Sequence, residues 1–314
     1  MGVGNLTSVT EFILEGLTIH RKTQILLFVI ILIVYVLTLM GNLIIIMLVQ
    51  ADSSLQTPMY FFLTNLSSLE ICYVAIMQPQ ILAHLISGNG IISYTRCVVQ
   101  IFVVLTLGTV ECFLLGIMAY DRYLAIFHPL MYAINMSRLR QLQLASTCWA
   151  IGLLFGMIYV CCTFRHFYCG PNHINHFMCE MPVVLKLACD DTHITEAIVF
   201  VMAALVLLVP VFVILTSYGL ILYSVLQIKS AAGRRKAFST CAAHLVVVTV
   251  FYGTVISMYM IPRSSASSNR DKKIAVFYVV VAPLLNPVIY TLRNKDVHRA
   301  AAKVLRRQGV KHDS

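Results

Sequence analysis

Charge is scarce in this 314-residue chain. Asp, Glu, Lys and Arg make up only 11% of it against 59% hydrophobic residues, and the mean hydropathy is +0.84. Soluble domains carry roughly 25% charged and about 45 to 50% apolar residues, so a soluble globular domain is excluded. Nucleic-acid binding, which a pI near 9.2 would otherwise suggest, loses its main support with it. Catalytic motifs are missing too. There is no His-Glu-x-x-His, no Gly-x-Ser-x-Gly and no phosphate-cradling glycine loop, and the histidines scatter over loops, so no enzyme is expected. The segment before the first apolar run holds Glu11 and Glu15 but no basic start and no compact apolar core. No cleavable signal peptide is therefore expected, and the first apolar run acts as its own insertion signal. Leu6 stands where N-myristoylation of Gly2 would need Ser or Thr.

What the chain does have is long apolar runs. A bilayer span takes about 20 such residues, and runs of that order cover 24–49, 58–86, 97–125, 142–162, 197–228, 238–261 and 275–292. None alternates with period two, which excludes barrel strands, and lipid-facing backbone is otherwise satisfied only within a helix. The expected fold is an all-α membrane protein. A seven-transmembrane helix bundle over 24–293 would lie between an extracellular N-terminus (1–23) and a cytoplasmic tail (294–314). In that tail Val297, Ala301, Val304 and Leu305 recur at helical spacing beside Arg299, Lys303, Arg306 and Arg307. This pattern predicts a short amphipathic C-terminal helix on anionic membrane lipid. An ion-coupled transporter would show internally repeated halves, and seven unequal spans show none.

Loop charges set the orientation. With the N-terminus outside, the inner segments hold fourteen cations against four acids, net +10, and the outer ones nine against seven, net +2. Asn5 opens a glycosylation sequon (Asn5-Leu6-Thr7), which agrees with an external N-terminus. Cys97, Cys169, Cys179 and Cys189 then fall on the oxidising side, where four cysteines allow three pairings. The preferred arrangement ties Cys97 to Cys179, pinning the long loop between spans four and five over the bundle, with Cys169–Cys189 closing that loop on itself. His173, His176, Cys179 and Glu180 match no regular zinc spacing, and loop packing accounts for them better.

At the inner end of span three stands Met118-Ala119-Tyr120-Asp121-Arg122-Tyr123-Leu124-Ala125-Ile126, where an arginine at the membrane edge needs a partner and Asp121 is the adjacent one. Span seven ends in Pro283-Leu284-Leu285-Asn286-Pro287-Val288-Ile289-Tyr290, with a proline that frees a carbonyl and creates a hinge. Together these resemble rhodopsin-like (class A) G-protein-coupled receptors. Pro58 to Leu63 entering span two, Lys236 to Cys241 entering span six, Pro283 to Asn294, and Asn175 to Cys179 with Leu187 to Cys189 narrow the resemblance to odorant (olfactory) receptors. It covers about Thr10 to Val297. Glu70 stands where most relatives have Asp, Phe127 replaces the usual cysteine before His128-Pro129, and Gln56 replaces a common histidine.

The resemblance implies a multi-pass plasma-membrane receptor. It would bind small, mostly apolar volatile odorants in the outer half of the bundle and activate a heterotrimeric G protein of the stimulatory/olfactory type, raising cyclic AMP. A class A receptor for another small apolar ligand is the alternative. Implied ligand positions are Val104, Leu105, Gly108, Thr109, Met202, Val206, Val255, Ile256, Tyr259 and Val279, a wall suited to desolvation and shape. Val104 is not a carboxylate, which disfavours amine transmitters. Implied switch and coupling residues are Asp121, Arg122, Tyr123, Tyr218, Tyr252, Asn286, Pro287 and Tyr290. The inner surface, from His128 to Arg140 and at Arg234, Arg235 and Lys236, would meet the G protein. Glu70 and Glu111, the acids inside the spans, should face Asn286 and hold a Na⁺ ion or a shared proton; no other cofactor is expected.

Overall fold

The computed structural model describes residues 9–227, 230–259, 268–292 and 297–304. Among them are seven helices long and apolar enough to cross a membrane. Span one is Arg21–Ala51, span two Pro58–Ser87, span three Tyr94–Phe127, span four Arg138–Phe164 and span five His193–Leu226. Span six occupies Ala231–Tyr259. Span seven begins at Ser268–Val276, passes through a π-helical stretch at Phe277–Val281 and ends at Ala282–Leu292. Most helices overrun the apolar runs, because backbone bonding continues through polar residues until a stop signal intervenes. Pro58 starts span two at a position that needs no N–H, and Ser93 caps span three through the Arg96 N–H. Gly88 ends span two in the left-handed region at φ 69°, its N–H bonded to the His84 carbonyl at 2.9 Å.

Span three is the axis of the bundle, packed most extensively against spans four and five. Glycines permit the closest of these approaches. A Cβ at Gly152 would overlap the Val110 side chain, and one at Gly156 would overlap the Thr106 hydroxyl. Small residues let membrane helices come together where lipid supplies no hydrophobic drive.

One end of the bundle is closed by a lid. Strand β1 (Glu11–Leu14) pairs antiparallel with β2 (Ile91–Ser93), Phe12 opposite Ile92, and parallel with β3 (His173–Ile174), Ile13 opposite His173. Phe12 and Leu14 alternate inward into a separate apolar cluster with Cys97, Tyr168 and Cys179. The Cys97 and Cys179 sulfurs, and those of Cys169 and Cys189, are paired as disulfides. Cys179 N–H also donates to Gln100 Oε1 of span three at 2.7 Å. His166 is buried beside the second disulfide, bonded to Asp190 Oδ2 (2.7 Å) and Thr195 Oγ1 (2.8 Å). The bond from His166 is the main reason the Asp190 carboxyl is held below the usual carboxylate range.

The other end carries the Asp121-Arg122 pair, a short helix at Tyr132–Asn135 and a helix at 297–304 after span seven. That last helix buries Val297 and Ala300, and Lys303 Nζ reaches Asp52 at 3.1 and 3.3 Å. The Ser54 N–H and Lys303 both lower the Asp52 carboxyl. Leu305, Arg306, Arg307 and Asn5 lie outside the described residues.

Candidate functional site

Beneath the lid, between spans two to seven, lies a cavity of about 110 Å³ with a mostly apolar lining. Span three contributes Val104, Leu105, Gly108 and Thr109 in consecutive turns, down to Glu111 and Cys112. Span five contributes Val199, Ala203, Val206 and Leu207, and span six Phe251, Thr254, Val255 and Met258. Both sets repeat at i, i+3/i+4, i+7, the signature of one helix face. Glu70 and Tyr73 border it from span two, and Met181 of the lid completes the wall.

Of the implied ligand positions, Val104, Leu105, Gly108, Thr109, Val206 and Val255 line this space, while three others are placed differently. Ile256 is 41% exposed on the outer face of span six, about 100° around the helix from Val255. Met202 is buried in the lid cluster instead of at the cavity. Val279 lies within the π-helical stretch, its carbonyl accepting from Gln78 Nε2 at 3.2 Å, and span seven lines the cavity with Tyr278, Ala282 and Pro283. An extra residue in the turn shifts which side chains face inward. The Tyr259 side chain lies outside the described residues. Thr109 does not offer its proton to the cavity, since Oγ1 donates to the Leu105 carbonyl at 2.7 Å.

Sequence reasoning missed span four. Tyr159 lines the cavity from there. Its signal is the spacing Gly152, Gly156, Tyr159, two small residues and an aromatic on one helix face.

Deeper in the bundle the expected acid cluster is assembled. Asn286 Nδ2 donates to Glu70 Oε1 and, at 3.4 Å, to Glu111 Oε1, joining spans two, three and seven. Tyr252 is buried, and its hydroxyl donates to the Cys112 carbonyl at 2.8 Å, tying span six to span three directly below Phe251. Pro287 packs against span one at Gly41, where a Cβ would lie 3.1 Å from its own.

At the far end the expected Asp121–Arg122 pairing is replaced. Asp121 Oδ1 accepts from the Tyr132 hydroxyl at 2.8 Å, and the Arg122 Nε has no partner among the described residues. Adjacent side chains on a helix point about 100° apart, so a loop residue reaches Asp121 more easily than Arg122 does. Burial and the carboxylate of Asp121 push the Tyr132 phenol above its usual range, which keeps it a donor. Tyr218 bonds His244 Nδ1 at 2.6 Å, and Tyr290 is buried nearby on span seven. Tyr123 contacts His128 at 3.2 Å, with Phe127 tilted against the Tyr123 ring and edge-on to His128, so the unusual Phe127 closes an aromatic cluster. Arg234 and Arg235 are exposed, and the Lys236 side chain is outside the described residues.

In the lid, His176 Nε2 stands 3.7 Å from Glu180 Oε2, and Tyr278 donates to Glu180 Oε1 at 3.3 Å. Among the described residues no three His, Cys, Asp or Glu side chains are grouped to hold a metal ion.

Residues 31–308 match the family model described as olfactory receptor. Olfactory receptor 5T17 of Mus musculus is 45% identical over 308 residues, covering 98% of this chain and 95% of that protein. Olfactory receptor 5L1 of Homo sapiens is 47% identical, covering 97% of this chain and 98% of that protein. Human olfactory receptor 2D2 is likewise 47% identical, over 96% and 98% of the two chains. A match of this length and identity, on a seven-helix bundle with a lidded apolar cavity, shows that the chain belongs to the olfactory receptor family.

Proposed function

We propose that this protein is an odorant receptor of the plasma membrane that takes small, mostly apolar volatile molecules into the cavity and activates a heterotrimeric G protein of the stimulatory/olfactory type, raising cyclic AMP. The observation that carries this reading is the cavity itself, walled by apolar faces of spans three, five and six and roofed by the lid. Such a space binds by desolvation and shape, at about 25 cal/mol for each Å² of apolar surface removed from water. The lid faces outside and the end with Arg122, Arg234 and Arg235 faces the cytoplasm, following the excess of cations there. That cytoplasmic face meets the G protein, and the helix at 297–304 rests on anionic lipid.

Activation is a population shift, so the odorant must bind the signalling arrangement more tightly than the resting one. Tyr252, Asn286 and Pro287 transmit between the cavity and Arg122, Tyr218 and Tyr290. Glu70 and Glu111 hold one positive charge between them. The donor set suits a shared proton better than Na⁺, because Asn286 turns its N–H, not its carbonyl oxygen, toward both carboxylates.

The test is cyclic AMP in cells presented with a panel of volatiles. Gly108→Leu is the informative variant, since a Cβ there meets nothing within 4 Å and the added side chain fills the cavity without a backbone clash. Surface expression should hold while potency falls at least tenfold. Arg122→Ala should abolish coupling. An odorant response unchanged in both variants would sink the reading.

A further inference from the structure

Most polar groups around the cavity have already spent their protons. Thr109 donates to the Leu105 carbonyl at 2.7 Å, Thr254 to the Val250 carbonyl at 2.7 Å and Tyr278 to Glu180 at 3.3 Å. Glu70 and Glu111 accept from Asn286. Such walls offer lone pairs to a ligand and few hydrogens.

Tyr159 differs. It is 4% exposed, lines the cavity, and its hydroxyl makes no hydrogen bond among the described residues; only its backbone carbonyl is engaged, accepting from Thr163 at 2.7 Å. A buried phenol ordinarily finds a partner, because leaving it unmade costs more than the bond gains. Its placement is built in by sequence. Gly152 and Gly156 bring span four against Val110 and Thr106 of span three. One turn on, Tyr159 emerges on the same face, past the edge of span three and into the bundle.

Resting on the reading of this cavity as the odorant site, we infer that Tyr159 is its ligand-directed hydrogen-bond donor, and that the preferred odorants are apolar molecules carrying one acceptor oxygen, of the ketone, aldehyde or ester class. A carbonyl oxygen satisfies the phenol and brings no proton of its own. An alkane of the same shape leaves the phenol unpaired. A primary amine or alcohol brings donors of its own and is drawn to the carboxylates at the floor instead of depending on Tyr159.

The probe is methyl pentyl ketone, compared with the alkene in which a methylene group replaces its oxygen and with the matching secondary alcohol. Cyclic AMP dose–response is measured on cells with equal surface receptor. The wild-type protein should favour the ketone over the alkene by roughly 3- to 10-fold, the worth of one net hydrogen bond. Tyr159→Phe should erase that preference by weakening the ketone while leaving the alkene within twofold. A ketone preference that survives Tyr159→Phe, or an equal loss for ketone and alkene, overturns the assignment in favour of packing. The wild-type comparison stands without any variant: an alkene as potent as the ketone overturns the ligand class even if Tyr159→Phe fails to reach the surface. Responses to the alcohol but not the ketone also overturn the class, while leaving the receptor reading intact. Silence toward a broad volatile panel from receptor shown to be at the surface removes the receptor reading, and the assignment falls with it.

Discussion

Replacing Gly156 with alanine adds one methyl group where span four crosses span three. At ideal geometry that carbon overlaps the Thr106 hydroxyl and lies 3.1 Å from Thr106 Cβ and 3.3 Å from Phe102 Cδ2. The hydroxyl can rotate away, since Oγ1 makes no hydrogen bond among the described residues. Thr106 Cβ cannot, being fixed to the backbone of span three. Two terms compete. Glycine to alanine within a helix gains about 1 kcal/mol, and overpacking a tight contact costs about 1 to 3 kcal/mol. The net is a destabilisation of roughly 0 to 2 kcal/mol. Gly219 of span five is the control, because a Cβ there meets nothing within 4 Å, so Gly219→Ala keeps the gain without the cost. Thermal unfolding in detergent should rank Gly219→Ala at or above the wild-type protein and Gly156→Ala below it. Thr106→Gly, which removes the crowding Cβ, should couple favourably with Gly156→Ala once glycine's own helix cost of about 1 kcal/mol is subtracted, a double-mutant cycle that separates contact from propensity. Equal stability of the two alanine variants would refute the close approach as the device that positions Tyr159.

Asn286→Leu removes the donor shared by Glu70 and Glu111. It should cost about 1 to 3 kcal/mol of thermal stability by stranding two buried acceptors, and replacing sodium chloride with choline chloride should leave the wild-type melting curve in place. A sodium-specific stabilisation would restore the cation reading. Tyr252→Phe removes the bond to the Cys112 carbonyl, worth about 0.5 to 1.5 kcal/mol, and should raise basal cyclic AMP by loosening span six from span three; unchanged basal signal would leave Tyr252 a packing residue. Asp190 has a depressed folded pKa, so its stabilisation of the lid is present at neutral pH and is lost as the pH falls below the ordinary carboxylate range through that lowered value. Asp190→Asn should flatten this acid limb of the thermal-stability profile, and identical profiles would remove the His166–Asp190 bond from the account.

The seven spans were legible because hydrocarbon imposes a length that no soluble constraint blurs, and the meeting of Glu70, Glu111 and Asn286 was legible because buried ionisable groups must find one another. The lid was not. Glu11–Leu14 is four residues long, and its partners, Ile91–Ser93 and His173–Ile174, lie far along the chain, so no local period announces a sheet. Phase along a single helix was readable only to within a residue: Val255 faces the cavity while Ile256, one step on, lies on the outer face. On span seven the π-helical turn presents Tyr278 where an implied position was Val279. Tyr159 escaped because its role depends on what span four packs against. The Tyr132 bond to Asp121 escaped for the same reason, as loop placement sets it.

On the receptor reading, the proposed ligand site and switch share side chains, with no separate wire between them. Glu70, Glu111 and Phe251 all border the cavity; the two acids hold span seven through Asn286, and Phe251 meets the ring of Tyr252, which holds span three. On the receptor reading, an odorant therefore presses on two hydrogen-bonded joints from within one space. The neutral Tyr252 joint is worth about 0.5 to 1.5 kcal/mol net, and a tenfold preference of the odorant for the rearranged bundle supplies about 1.4 kcal/mol. The magnitudes match, so one well-placed ligand contact is enough to release one joint. A ligand that fills the cavity equally well in both arrangements shifts nothing, however tightly it binds. Affinity and efficacy should then separate along a homologous series. Chain length would set how much apolar surface is buried in both states, and the group that reaches Phe251 or the acid floor would set the difference between them.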